Sequence, residues 1–557
     1  MSEGVRTLDL SEDFNYKTAV PPKEKLDKLR KVITENLRIQ QSGAPTIPYI
    51  DVAHAVPAAK ARQNHVIFGR RGCGKTLLLE DSGKELGPTE HKLYLDCEAF
   101  KNHTFPNVLV EIIDAVLGEL QRHMRFWWFG KKKVSKQLIS DLRHRLAVMR
   151  SKQDETRAKV VERSSAESAT RATGTVGAGQ SAASTVSTST TGIAATGQLV
   201  TGYAFTFGRE HAQSEAAAIE RAYETADSKI GELNILLPQL KENLKKFFGV
   251  SSRIKTLFLQ IDDFYHLARP VQPYVMDYIH RLCKDLPIYF KVATLRHASV
   301  LYAERLSQPV GAQERHDYQA INIDFTFQDF PKTERQVRQI FHEFAKLADM
   351  TTDEFENLFR GDGFRRLVIA GGGVPRDCLS LFLEALNSVN DEQSRIGKDD
   401  VRLLSFSNFE RKIDELKRDS ERGEQDLLLK GVYVIRRFCL DKQTSIFFIP
   451  ERVIQEVELA RELIFRLLDY RIIHSVGSTF THKSAPGSFQ GFMIDVGSYA
   501  FMRKLAGKMN EIDLSSPQAK ETMRSVPILS EELLRSLWDS APERIDVKGD
   551  LLTEVET

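Results

Sequence analysis

The chain has 557 residues, which predicts roughly two to four domains rather than one small core. Hydrophobic residues make up 41% and charged residues 28%, the balance of a soluble globular protein, and a net charge of only +2 confines any nucleic-acid surface to a local patch. The first residues lack the apolar core of a signal peptide, and no uncharged apolar run reaches the ~18 residues of a membrane span.

A cytoplasmic location is therefore expected. The five cysteines (Cys73, Cys97, Cys283, Cys378 and Cys439) are dispersed with no CxxC spacing, which fits a reducing compartment better than a disulfide framework or a zinc site. The fourteen histidines form no HExxH or similar ligand pair.

Residues 1–58 are expected to form an N-terminal extension. "HVIFG" (65–69) then reads as a buried parallel strand. It runs into Gly69-Arg70-Arg71-Gly72-Cys73-Gly74-Lys75-Thr76, a match to GxxxxGK[ST], followed at Leu77 by the leucines of an opening helix. Strand, glycine loop and helix is the order that turns backbone N–H groups around phosphate oxygens at a helix N-terminus. Residues Gly69 to Leu77 are thus the candidate nucleotide cradle. Lys75 would neutralise the β- and γ-phosphates of ATP, and Thr76 would hold Mg²⁺.

"HKLYLDCE" (91–98) is a second candidate strand. The distance from Lys75 to the next acid-bearing strand far exceeds what a compact core needs, so roughly 100 residues are inserted. The insert opens on "RFWWFGKKKVSK", two tryptophans beside three lysines. This motif is a packed aromatic turn with a solvated charge run or, alternatively, a nucleic-acid or membrane-surface contact. Two helical stretches follow, separated by Ala172 to Gly208, where there is no charged residue. Two antiparallel helices projecting from the core with an uncharged Gly/Ser/Thr/Ala tip are expected.

"TLFLQIDDFYHL" (256–267) supplies a strand ending in two acids. Asp262 is the candidate for the Mg²⁺ shell, and Asp263 for orienting the attacking water. "LPIYFKVATLR" (286–296) puts Thr294 and Arg296 at a strand's C-terminal end, where ligands bind in parallel α/β sheets; both are candidate γ-phosphate sensors. "AINIDFTF" (320–327) completes five strands interleaved with helices. The pattern then turns helical. In "GGGVPRD" glycines end one helix and proline starts the next, leaving Arg376 in a first turn from which it can reach the γ-phosphate.

Beyond residue 424, a helix, a short strand, two helices and a Gly/Ser/Thr-rich hairpin follow the winged-helix order. The last helix carries Arg461, Arg466 and Arg471 beside Glu462 and Asp469, and the hairpin carries His482 and Lys483. This basic supply is thin and suits duplex DNA or a protein partner about equally. In the tail, only "LSEELLRSLWDS" looks helical.

"GRRGCGKT", "LFLQIDDF", "VATLR", "GGGVPRD" and "IGKDDVRLLSFSNFE" together resemble the AAA+ P-loop ATPases, in particular the origin-recognition/initiator-like branch. That resemblance implies an α/β fold: a P-loop NTPase parallel sheet core (59–125 and 250–329) with a helical lid and linker (330–423) and a C-terminal winged-helix domain (424–510). The helical insert (126–249) and a tail (511–557) are additions. It implies ATP and Mg²⁺ as cofactors, ATP hydrolysis coupled to conformational change, and a homo-oligomer or a complex with an effector protein. The Asp262–Asp263 pair departs from the Asp-Glu of that branch and is similar to the STAND signalling ATPases. Two readings follow: a switch or remodeller acting on DNA or a protein–DNA complex, or a STAND-like signalling or antiviral-defence ATPase whose nucleotide state gates oligomerisation.

Overall fold

The computed structural model describes residues 21–37, 47–51, 54–84, 86–101, 103, 105–151, 229–304, 308–388, 395–420, 422–502 and 509–552. The uncharged tip Ala172 to Gly208, with the rest of the insert over 152–228, lies outside the described residues.

Five strands form one parallel sheet: β1 (His65–Phe68), β2 (Glu90–Asp96), β3 (Thr256–Asp262), β4 (Ile288–Thr294) and, after the two-residue strands β5 (Tyr302–Ala303) and β6 (Val310–Gly311), β7 (Gln319–Asn322). Their spatial order is β2-β3-β4-β1-β7. β1 and β3 are buried along their whole length, as strands covered on both faces must be, which is why they read as near-continuous apolar runs. β7 stops at Asn322, earlier than the apolar run "AINIDFTF" suggests. Beyond it the carboxylate of Asp324 is taken by Arg70, so the chain leaves the sheet where that ion pair forms.

The strand order places β4 between the strand that feeds the glycine loop and the strand that carries the acids. Phe68 of β1 pairs with Thr294 of β4, Val292 of β4 with Ile261 of β3, and Asp262 with Asp96 of β2. The loop, Thr294 and the acid pair therefore emerge along one carboxyl edge of the sheet.

The described ends of the insert share the sheet's core. Helix Gly130–Ser151 and a helix over 229–250 contribute Leu142, Leu146, Leu233, Leu240 and Phe247 to the same buried cluster as Val116, Ile279 and the strand residues Leu257 and Ile288. The expected projecting arm is thus packed against the core at its root. The extension is also structured: helix Lys23–Asn36 buries Leu29 and Ile33 against the phenylalanine-rich group of helices Phe330–Leu347, Gly363–Ala370 and Pro375–Ser388. Lys25 ties it to Glu354 at 2.7 Å.

Helix Lys398–Asp419 leads to the C-terminal region. There, helix Arg422–Asp441, strand β8 (Ile446–Pro450), helices Glu451–Glu456 and Glu458–Asp469, and strands β9 (Ile473–Phe480) and β10 (Phe489–Ile494) follow one another. The three strands form an antiparallel sheet in the order β8-β10-β9. The tail folds back on this region. The main-chain N–H of Phe448 donates to the Pro527 carbonyl and its carbonyl accepts from the Leu529 N–H, and Trp538 of helix Glu531–Ser540 is buried beside Leu463.

Candidate functional site

The loop between β1 and helix Lys75–Ser82 takes its shape from two glycines with left-handed backbone, Gly72 at φ +84° and Gly74 at φ +92°. Gly72 has a second reason to lack a side chain. A Cβ there would fall 2.7 Å from the Cβ of Arg376 and 3.0 Å from Val374. Helix Pro375–Ser388 thus starts directly on the loop, and the Arg376 N–H reaches the Gly72 carbonyl at 3.4 Å. Arg376 itself is exposed at this contact.

Lys75 is buried, and its ammonium donates to the carbonyl oxygens of Gly69 (3.0 Å) and Arg70 (3.4 Å). Burial pulls its pKa down, opposed chiefly by the charge of Asp263 and then by Cys73 and Asp262. Asp262 lies near the Thr76 side chain, which helps to stabilise its charged form, and accepts the Tyr94 hydroxyl at 2.8 Å and the Asp263 N–H at 2.9 Å. Burial, and after it the neighbouring Asp263, raises the Asp262 pKa to about 6. Asp263 sits in left-handed backbone at φ +48°, a turn that aspartate tolerates better than most residues. Thr294 is fully buried, and its hydroxyl meets that of Ser299.

Lys75, Thr76, Asp262, Asp263 and Thr294 are therefore brought to one edge, with Arg376 on the loop's outer side. Arg296 turns elsewhere. Its guanidinium lies 4.2 Å from the Phe68 ring centroid and pairs with Glu314 at 3.3 Å, beside a cavity of about 480 Å³ that Ser299, Tyr302 and His316 also line. Leu77 packs with the apolar group around Leu78, Ile67 and Val374. The Cys73 thiol reaches Asp324 at 3.4 Å, and burial raises its pKa.

Arg70 and Arg71 are built into the molecule. Arg70 is buried, forks onto Asp324 at 2.7–3.0 Å, and donates to Nδ1 of His474 in β9 at 3.1 Å. A guanidinium can only donate, so this Nδ1 accepts, and the ring proton lies on Nε2, which faces Asp495 at 3.2 Å. His474 is thus neutral, and burial holds its pKa down at about 4. Asp495 also takes the buried Lys412 ammonium, which lies 3.7 Å from Asp377 in helix Pro375–Ser388. Asp377 is 3.3 Å from Arg471, whose other partners are Glu415 and the Arg71 carbonyl. Arg71 pairs with Asp419 and lies 4.8 Å from the Tyr265 ring. One buried chain of charges therefore links the loop, the helix behind it and the C-terminal sheet.

No protein-family model matches the chain, and no curated protein does. Among solved structures it is similar to one described as the structure of Drosophila ORC bound to DNA, at 12% identity and a TM-score of 0.31, over 90% of this chain and 95% of that one. At that score the likeness bears on neither ligand nor mechanism.

Three tyrosines beyond the motifs stand around the loop and the acid pair. The Tyr49 ring lies 3.6 Å from a Cβ placed at Gly74, and its buried hydroxyl has no hydrogen-bond partner among the described residues. Tyr94 braces Asp262. Tyr265 lies between Arg71 and Lys75, 5.9 Å from the lysine nitrogen. Tyr49 stands well before the glycine loop, and Tyr94 and Tyr265 lie within the quoted stretches 91–98 and 256–267, with no spacing that ties any of them to the loop. The oxygens of Thr76 and Asp262 form a hard donor pair of the kind Mg²⁺ takes when phosphates and water complete its shell. No cluster of three or more metal-ligating side chains occurs among the described residues.

Proposed function

We propose that the chain is an ATP-binding and ATP-hydrolysing switch of the AAA+ kind, resembling the origin-recognition/initiator-like branch. Its C-terminal region, with the element order and strand order of a winged helix, is held against the phosphate loop. The observation that carries the reading is the shared sheet edge, where Lys75, Thr76, Thr294 and the Asp262–Asp263 pair converge from three adjacent strands.

In this reading Lys75 leaves the loop carbonyls to hold the β- and γ-phosphates. Thr76 and Asp262 hold Mg²⁺, and Asp263 orients the attacking water. Thr294 and Arg376 sense the γ-phosphate from the sheet edge and from the helix behind the loop. ATP would supply the cleavable phosphoryl group and Mg²⁺ the charge that shields it. The proposed units are the core over 59–125 and 250–329, the insert over 126–249, the lid over 330–423 and the winged helix over 424–510.

Of the two outputs, one observation favours nucleotide-gated release and assembly, the STAND-like behaviour, over direct DNA contact. The arginines of helix Glu458–Asp469 are engaged inside the chain: Arg466 is buried against Glu424 and Arg461 lies 3.8 Å from Glu458. That helix also docks on the core. Phe465 stacks on His297 at 4.3 Å, Glu462 takes Arg269 at 3.1 Å, and Asp469 accepts the N–H groups of His297 and Ala298. The hairpin's Lys483 lies 3.3 Å from Glu521.

Equilibrium binding of a fluorescent ATP analogue tests the site. Wild type binds with Mg²⁺ and Lys75→Ala loses binding; retained binding in the variant contradicts the assignment. Size measurement with ATP, ADP and duplex DNA separates the outputs: ATP-dependent assembly without DNA supports gating, and salt-sensitive DNA binding supports the initiator-like role.

A further inference from the structure

Of the seven exposed large apolar side chains among the described residues, four fall together, while Val148, Ile235 and Leu403 stand singly. Phe126 (68% exposed), Trp128 (62%), Phe129 (87%) and Val134 (54%) fall within nine consecutive positions, at the turn between helices Asn107–Arg122 and Gly130–Ser151. Such clustering marks an interaction site, because singly exposed apolar residues need no explanation and a contiguous patch does.

The turn is rigidly mounted. Met124 is fully buried, and Trp127 stacks on the buried Phe247 at 5.4 Å, so one tryptophan roots the knob and the next projects from it. Gly130, at φ +57°, has open space where a side chain would be, and helix Gly130–Ser151 starts there.

Cations ring the tip. Between positions 120 and 140 stand Arg122, Arg125, Lys131, Lys132, Lys133 and Lys136, and no aspartate or glutamate. Arg125, Lys132 and Lys136 lie 5.2–5.9 Å from the rings of Phe126, Trp127 and Trp128 respectively. Among the described residues none of the four lysines pairs with a carboxylate.

We propose that this knob docks the protein on an anionic lipid bilayer, with Phe126, Trp128 and Phe129 entering the headgroup–acyl boundary and the lysines facing the headgroups. Tryptophan and phenylalanine gain most at such an interface, and basic residues beside them add attraction to anionic lipid. A single-stranded nucleic acid has the same charge. However, its binding sites are grooves that track the backbone, whereas side chains this exposed at a helix–helix turn form a projection. The contact is peripheral: no described helix is long and apolar enough to cross a membrane.

The test uses the full chain and vesicles of phosphatidylcholine with about one-third phosphatidylglycerol, beside vesicles of phosphatidylcholine alone. Co-sedimentation with the anionic vesicles only, lost at high salt, is expected, together with a blue shift of tryptophan emission. Trp128→Ala with Phe129→Ala should lower partitioning about tenfold or more. Lys131, Lys132 and Lys133 changed together to alanine should remove the dependence on anionic lipid. Thermal unfolding unchanged in both variants confirms that each still folds. No binding to anionic vesicles, or equal binding to both kinds, overturns the proposal. Binding of a single-stranded oligonucleotide that needs Trp128, without vesicle binding, assigns the knob to nucleic acid instead.

Discussion

Arg471 donates from Nη1 to the main-chain oxygen of Arg71 at 2.8 Å, across 400 positions of sequence. The donor follows helix Glu458–Asp469 in left-handed backbone at φ +62°, a conformation that costs arginine on the order of 1 kcal/mol. Its buried guanidinium also meets Asp377 and Glu415, which hold it there. The acceptor is a peptide group of the glycine loop itself. A shift of that peptide group must stretch, break or carry along this hydrogen bond.

The pair Arg71–Asp419 is a second, less buried tie, from the loop to the end of helix Lys398–Asp419 that leads into the C-terminal region. Asp419→Asn removes its charge while keeping the shape. If docking of the C-terminal region and phosphate binding compete for the loop, weakening the tie by about 1 kcal/mol should tighten ATP binding about threefold to tenfold. Titration of ATP into the two proteins at equal salt checks this, and unchanged or weaker binding in the variant opposes competition.

Asp263 is expected to act on the rate and not on binding. Asp263→Asn should keep ATP affinity within about twofold and slow steady-state phosphate release by about a hundredfold. Normal turnover in that variant removes Asp263 from the water-orienting role.

Gly72 tests how tightly the loop and helix Pro375–Ser388 are joined. In Gly72→Ala the new methyl meets the Arg376 Cβ at 2.7 Å from a backbone at φ +84°. The variant should lose about 1–3 kcal/mol of stability and bind ATP more weakly, since the helix must shift or the loop must change shape. Chemical denaturation and ATP titration read the two effects, and full retention of both means the helix yields freely.

His474 gives the junction a pH dependence. Its pKa is lowered from 6.5 to about 4, chiefly by burial, with Lys412 and Arg70 adding to the fall and the hydrogen bond that its Nε2–H donates to Asp495 opposing it. Between those values the unfolded chain binds the proton and the folded one does not, so this group's contribution is complete above pH 6.5 and is lost as pH falls toward 4. The full shift corresponds to on the order of 3 kcal/mol. Comparing wild type with His474→Gln isolates it, because glutamine keeps a neutral donor and acceptor. The stability difference between the two should depend on pH only within that window.

Local order was legible and long-range partnership was not. The strand–loop–helix around Lys75 and the strand ending at Asp262 announce themselves, because glycine geometry and apolar runs are properties of a few adjacent residues. All five strands of the parallel sheet were visible for the same reason. β7 ends early because Asp324 answers to Arg70, whose pull cannot be seen from 254 positions away. The roles of Arg70 and Arg71 were opaque in the sequence, since an arginine's surroundings depend on which acids the fold brings to it. Arg296 shows the converse: a polar residue at a strand's end is easily placed at the edge, but nothing local says that it turns to Phe68 and Glu314. The tail read as polar and mostly irregular, yet Trp538 and Leu529 are buried by a surface that the C-terminal sheet supplies.

The central claim is that the phosphate loop and the C-terminal region are one mechanical unit through Arg70, Arg71, His474 and Arg471. Hydrogen exchange over residues 412–419 and 471–476, with and without saturating Mg²⁺ and ATP, tests it most directly. Faster exchange in both segments when ATP is bound, absent in Lys75→Ala, is the predicted result. Identical exchange in both segments while ATP demonstrably occupies the site would contradict it.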